Sequence, residues 1–275
     1  MNGKQDYGAL YVAFGVSYLA MALLSASTLR KTNPGIPFCI VSNVDFNPAD
    51  FDFWDKAKDH FIKLSLETKE NRCVKTSAID YSPFDKTVYI DCDTFINGDL
   101  SDGALLLDYF DIAFRGDTEP PKCDVPVIGG YPVRQFPHWN SGIFLFNKSI
   151  GSRDFFKKWQ EGFRKYDVEF DQVSLVEALF TTSARMISLD GRWNFMSFYS
   201  YRSKEYNQNA KVVHYTSRIS FAIEKELLDM CKMIPSVPDA KKQLNEFIAM
   251  KRHHRKVKIG TYQYIKLKIK WLLYP

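Results

Sequence analysis

Cysteine is scarce in this chain and shows no pairing pattern. There are five cysteines, at 39, 73, 92, 123 and 231, an odd number without a CxxC pair. That excludes a disulfide framework and a cysteine-rich zinc site, and it points to a reducing compartment. An even spread of positive charge is also missing. The net charge is +5, but ten of the lysines and arginines lie in residues 241–275 against one acid, Glu246, so the first 240 residues are net negative. A uniformly basic face for nucleic acid is therefore excluded. Internal repeats and low-complexity linkers are absent as well, which leaves no room for a solenoid.

What remains is an ordinary globular composition. With 275 residues, 45% hydrophobic and 25% charged, the chain can bury one large α/β domain or two small ones. Aromatic residues make up 15%, which suits stacking surfaces, although Phe and Tyr fill cores as readily. Residues 7–29 carry no charge, and a membrane helix needs roughly 20 apolar residues. Serines, a threonine and two glycines dilute this run, and "ALYVAFG" followed by "SYLAMALLSASTLRK" reads as a buried strand and then a helix with Ser17 as its cap. The expectation is a soluble, cytoplasmic domain.

Strand and helix signals alternate along the chain. Strands are expected over 9–14, from Pro37, from Asp85 through "DKTVYIDCD", from Asp111, over 141–147, and from Arg185 and Ala210. Helices are expected over 17–31, 75–81, from Asp102, through "SRDFFKKWQEGFRKY" and from Asp171. The run "TVYI" is apolar on both faces and belongs at the centre of a parallel sheet. The pattern implies a Rossmann-like, doubly wound α/β sheet, mostly parallel. The expected division is a catalytic domain over 1–220 and a helical, basic appendage over 221–275.

The chemistry centres on Asp91, Cys92 and Asp93 where that central strand ends. Ligands of open α/β sheets bind beyond the carboxyl ends of strands. Two carboxylates one residue apart can share a hard divalent cation, Mn²⁺ or Mg²⁺, with phosphate oxygens completing its shell. A phosphatase-type DxDx[TV] motif is excluded, because Phe95 occupies the position that needs Thr or Val.

The segment "SPFDKTVYIDCDTFINGDLSD" resembles the metal-binding stretch of A-type-fold glycosyltransferases of family eight, the glycogenin-like and lipopolysaccharide galactosyltransferase-like group. "WNSGIFLFN", "FDQVSL" and "VVHYTS" follow in the family's order, so the resemblance covers roughly residues 8–220. It implies a hexosyltransferase using a nucleoside-diphosphate sugar, UDP-linked in most of the family, with retention of anomeric configuration. By the same resemblance Asp91, Asp93 and His214 hold the metal. Lys75 faces the diphosphate, Asn140, Ser141 and Gly142 lie beside the donor sugar, and Asp171 and Gln172 act near the anomeric carbon. Asp171 could also simply cap its helix. The loop with Phe14, Gly15 and Tyr18 holds the nucleotide, and Cys92 lies between the two acids at the donor. The family's Gly and Lys-Pro-Trp after the histidine are replaced here by "HYTSRIS", with Ser217 and Arg218. Arg218 is then the expected diphosphate ligand.

Two other functions share the sheet and the metal. A sugar nucleotidyltransferase carries a glycine-rich loop with a basic residue after the first strand, whereas "FGVSYLA" has one glycine and no cation. An inactive sugar-nucleotide-binding protein would not need the acids and the histidine intact. The acceptor, a carbohydrate, lipid or protein, is expected to meet residues 115–137. The end of the chain, "KRHHRKVK" and "YIKLKIKWLLYP", joins cations to Trp, Leu and Tyr and suits peripheral contact with an anionic membrane face. His253 and His254 are too isolated to form a metal site.

Overall fold

The computed structural model describes residues 6–117, 125–166, 171–196, 209–215, 219–234, 237 and 239–259, with 221 and 253–259 given by backbone alone. Arg218, residues 118–124 of the expected acceptor segment and the terminal "YIKLKIKWLLYP" lie outside the described residues.

A seven-stranded sheet in the order β3-β2-β1-β4-β7-β6-β8 forms the body. Its strands are β1 (Tyr7–Val12), β2 (Phe38–Ser42), β3 (His60–Lys63), β4 (Lys86–Ile90), β6 (Ile112–Asp117), β7 (His138–Asn147) and β8 (Met186–Leu189). Parallel pairs join β1 to β2 and β4, β2 to β3, and β6 to β8, while β7 runs antiparallel to both β4 and β6. A small second sheet, β5-β10-β9, is made by β5 (Thr94–Ile96), β9 (Phe195–Met196) and β10 (Val212–His214).

The two-residue strand period divides the core. Ala9, Tyr11, Val88, Ile90, Ile143 and Leu145 point to one face, where they meet α1 (Val16–Thr32). Leu10, Val12, Tyr89, Phe144 and Phe146 point to the other, toward α5 (Ile150–Tyr166) and α6 (Gln172–Thr181). Part of the chain's aromatic content is consumed here. Phe144 stacks on Tyr89 at 4.5 Å and on Phe114 at 5.0 Å, and meets Trp159 edge-on at 5.5 Å. Each such side chain contributes on the order of 1.5–3 kcal/mol by burial.

Helix α1 is buried nearly all round, because the sheet covers one side and α7 (Phe221–Lys232) and α8 (Ala240–Ile259) cover the other. This accounts for the uncharged run at 7–29: a helix apolar on every face is one with neighbours on every face. No described helix is long and apolar enough to cross a membrane. Leu227, Cys231, Leu244 and Ile248 of the two C-terminal helices join the same core as α1.

The helix expected from Asp102 forms, as α4 (Asp102–Tyr109), whereas other local signals resolve differently. Ser17 is not the cap of α1; the helix starts one residue earlier from Gly15, whose φ of +84° is open to glycine at little steric cost. The expected helix over 75–81 is two short pieces, α2 (Asn71–Lys75) and α3 (Ala78–Tyr81), broken where the Thr76 and Ser77 hydroxyls bond back to Cys73 O. Strands β3, β5 and β9 were not foreseen; each is short, and half-buried strands of two to four residues leave little periodicity to read.

Candidate active site

Strand β4 stops at Ile90, and the next residue delivers the first functional carboxylate. The Asp91 N–H donates to Gly142 O at 2.8 Å, a last tie to β7, and Asp91 O accepts from Thr94 Oγ1 at 2.9 Å, which turns the chain. The turn feeds β5, whose antiparallel partner is β10, with His214 opposite Thr94. Residues 121 positions apart are thereby placed together: His214 Nε2 lies 2.9 Å from Asp93 Oδ1. The side chain of Cys92 turns the other way, its Sγ donating to Val12 O at 3.2 Å. Burial pushes that thiol well above its usual range, so it stays protonated and inert.

Opposite, a register shift in the β6–β7 ladder shapes the site. Phe114 pairs with Phe144 but Arg115 with Asn140, so Ser141, Gly142 and Ile143 face no β6 partner. Such bulges re-aim side chains. Ser141 Oγ donates to Asp171 Oδ2 at 2.8 Å, and Asn140 Nδ2 donates to Asp117 Oδ2 at 3.2 Å.

Asp171 precedes α6 but its side chain makes no capping bond. Its carbonyl takes the Trp159 indole N–H at 3.1 Å, and its carboxylate faces Ser141 and Lys75. Gln172 opens the helix beside it, partly exposed. Lys75, at the end of α2, is 6% exposed. Its Nζ lies 3.0 Å from Asp91 Oδ1 and 3.5 Å from Asp171 Oδ2, above the Tyr89 ring at 5.2 Å. Tyr89 OH donates to the same Asp91 oxygen at 3.1 Å. Burial alone would lower the ammonium pKa, but Asp171 and then Asp91 outweigh it and hold it above the ordinary lysine range.

The two aspartates of the motif differ electrostatically. Burial raises the Asp91 carboxyl in spite of Lys75. Asp93 is half-buried, and desolvation would raise it too, but His214 outweighs that and holds it below the usual range, with Lys251 adding to the effect. Burial would lower the His214 pKa, yet the Asp93 carboxylate outweighs it and raises the imidazole above its ordinary value.

One donor atom each from Asp91, Asp93 and His214 all lie within 4.8 Å of one another. Two hard carboxylate oxygens and an imidazole suit Mn²⁺ or Mg²⁺. The charge balance agrees: Asp91, Asp93 and Asp171 face one lysine, so with His214 neutral two negative charges remain, which a divalent cation cancels.

The first-strand loop flanks this site. Phe14 is fully buried, with its N–H on Asn71 Oδ1, and the Gly15 N–H donates to Asn43 Oδ1 at 2.7 Å. Tyr18 is half-buried and meets Phe247 of α8 edge-on at 5.4 Å. Burial, and next the Asp93 carboxylate, push its hydroxyl above the usual range. Lys251 Nζ lies over the Phe247 ring at 5.2 Å. Two residues here escaped sequence reasoning, Asn194 and Lys251. Asn194 ends a turn with no motif of its own, and Lys251 is one cation among ten in a basic segment. No local signal separates either from its neighbours.

Similarity to known proteins agrees with this geometry. The galactosyltransferase LgtC, solved in complex with donor and acceptor sugar analogs, superposes with a TM-score of 0.56 at 17% identity, covering 86% of this chain and 99% of that one. The apo-form glycosyltransferase GlyE of Streptococcus pneumoniae TIGR4 gives 0.52 at 19% identity, over 90% and 64%. The bifunctional enzyme WbbM gives 0.54 at 15%, over 86% and 51%. At such identities the likeness is one of fold. No curated protein sequence matches. Residues 72–219, just over half of the chain and the part that holds Lys75, both aspartates, Asp171 and His214, match the description of glycosyl transferase family 8, and the chain belongs to that family.

Proposed function

We propose that this glycosyltransferase moves a hexosyl unit from a UDP-sugar to a carbohydrate, lipid or protein acceptor, with Mn²⁺ held by Asp91, Asp93 and His214. The observation that carries the reading is the convergence of those three donor groups at the carboxyl end of β4. When bound, the metal supplies Lewis-acid stabilisation of the charge on the departing diphosphate. The protein's own groups do the rest. Lys75, tied to Asp91 and Asp171, orients both carboxylates before donor arrives. Because that lysine is engaged by two acids, a further cation is needed for the diphosphate, and Lys251 supplies it from α8. Asp171, Gln172 and Asn140 line the sugar side, and Tyr18 lies where a nucleotide base can stack. Retention at the anomeric carbon is the stereochemical outcome we expect.

The test is donor hydrolysis by the purified protein with Mn²⁺ and a panel of UDP- and GDP-sugars, beside Asp93→Ala. Release of UDP from one donor, abolished by chelator and by the substitution, supports the reading. Failure to bind any nucleotide sugar, with or without Mn²⁺, sinks it.

A further inference from the structure

Behind His214 runs a chain of buried hydrogen bonds whose polarity follows from a single unambiguous donor. The Gly142 backbone N–H can only donate, and it lies 2.8 Å from an amide atom of Asn140, so that atom is Oδ1. The other amide atom of Asn140, Nδ2, accordingly faces the acceptor-only carboxylate of Asp117. Asn140 Oδ1 also lies 2.8 Å from Asn194, which must therefore present Nδ2 to it. This turns Asn194 Oδ1 toward His214 Nδ1, 3.1 Å away. A carbonyl oxygen only accepts, so Nδ1 carries a hydrogen. Without a metal Nε2 also carries a hydrogen, donated to the Asp93 carboxylate, so it is the one ring nitrogen left to give its hydrogen up to a cation.

Three features show that this chain is built for the purpose. Asn194 is fully buried, and both ends of its amide are engaged within the chain. The imidazole is seated against Gly142, where a Cβ would stand 2.6 Å from His214 Cε1 and 2.8 Å from Nδ1. The register shift in β6–β7 aims Asn140 into the chain.

We propose that Asn194 is a positioning residue that holds His214 in its Nδ1–H tautomer and so presents Nε2 as a ligand to the divalent cation. The proposal rests on the reading of Asp91, Asp93 and His214 as a metal site. An outer partner of a ligating histidine fixes ring orientation and tautomer, and its loss typically costs roughly 10–100-fold in metal affinity.

Two measurements decide it. Nitrogen-15 NMR of the protein loaded with diamagnetic Mg²⁺ reports directly, without any substitution, which ring nitrogen keeps its hydrogen. We expect Nδ1–H, and an Nε2–H signal for His214 overturns the proposal. Titration of Mn²⁺ by electron paramagnetic resonance then compares wild type with Asn194→Leu and Asn194→Asp, with thermal unfolding to confirm that each folds. Leucine fills the volume without an acceptor, and affinity should fall roughly 10–100-fold. Aspartate keeps an acceptor for Nδ1–H and should restore most of that loss. Leucine binding Mn²⁺ as tightly as wild type defeats the proposal alone. Absence of divalent-cation binding in wild type defeats the metal reading instead, and with it the proposal that rests on it.

Discussion

The two halves of the proposed metal-binding motif are held by different kinds of neighbour. On one side Asp91 is tied by charge, to a buried lysine shared with Asp171 and to the Tyr89 hydroxyl. On the other, Asp93 faces His214, which is backed by two neutral amides and a backbone N–H. The lysine side carries a permanent cation, since Asp91 and Asp171 keep it charged. The histidine side carries a proton on Nε2 that a metal can replace. The difference separates a framework that must be present for folding from a ligand that must be free to exchange.

The largest expected effect comes from breaking the lysine side. Lys75→Met leaves Asp91 and Asp171 without their cation, and removing one partner of a buried pair costs about 3–5 kcal/mol. Urea unfolding should show that loss, and an unmoved midpoint would mean the pair is already solvated. The histidine side should be cheaper to disturb. Gly142→Ala forces the imidazole or the Asn140 amide to shift, at about 1–3 kcal/mol for overpacking. Mn²⁺ affinity should fall while the Lys75 contacts persist; unchanged affinity would show that the imidazole tolerates displacement.

A smaller effect is expected at the outer rim. Lys251→Ala should raise the donor KM by about fivefold, on the order of 1 kcal/mol, with added salt narrowing the gap. Equal KM values at low salt would remove Lys251 from the donor site.

The smallest effect lies outside the site and tests whether carboxylates elsewhere rely on charge or on the backbone. Asp154 is held down to about 2 from 3.8, first by the Ser183 N–H, with Lys158 and Thr182 assisting. A depressed folded-state value contributes stability that is present above the unfolded pKa. It is lost as pH falls from about 4 toward about 2. Melting temperature followed across that range should flatten in Asp154→Asn relative to wild type, and parallel curves would dismiss the contribution.

Much of the frame was legible in one dimension. The run "TVYI" announced a doubly covered central strand, and β4 has Val88, Tyr89 and Ile90 buried between β1 and β7. The alternation of strand and helix implied the open sheet, and the rule that ligands bind beyond strand carboxyl ends directed attention to Asp91 and Asp93. The antiparallel course of β7 was not visible, because "SGIFLFN" reads the same in either direction. The 15% aromatic content was equally ambiguous; many of these residues pack the two faces of the sheet rather than a ligand surface.

The candidate site shows the same division more sharply. His214 was reached through a family resemblance, since a histidine 121 residues from Asp93 has no local signal linking the two; the β5–β10 pairing makes the contact. Asp171 could have been no more than a helix cap. Its side chain instead turns to Ser141 and Lys75, because the unpaired Lys75 ammonium would be costly at 6% exposure.

By itself, then, the sequence determined the period of each buried strand, the place where β4 ends, and the chemistry of the acids displayed there. These depend on neighbours along the chain: side chains alternate with the strand repeat, and carboxylates one residue apart share a strand end. Only the tertiary structure brings distant groups to those acids: Lys75, Asp171 and His214, which the family resemblance named, and Asn194 and Lys251, which nothing in the sequence singled out. Their positions follow from strand pairing, a register shift and helix packing, and each of these is settled by the burial of other residues far away in the chain.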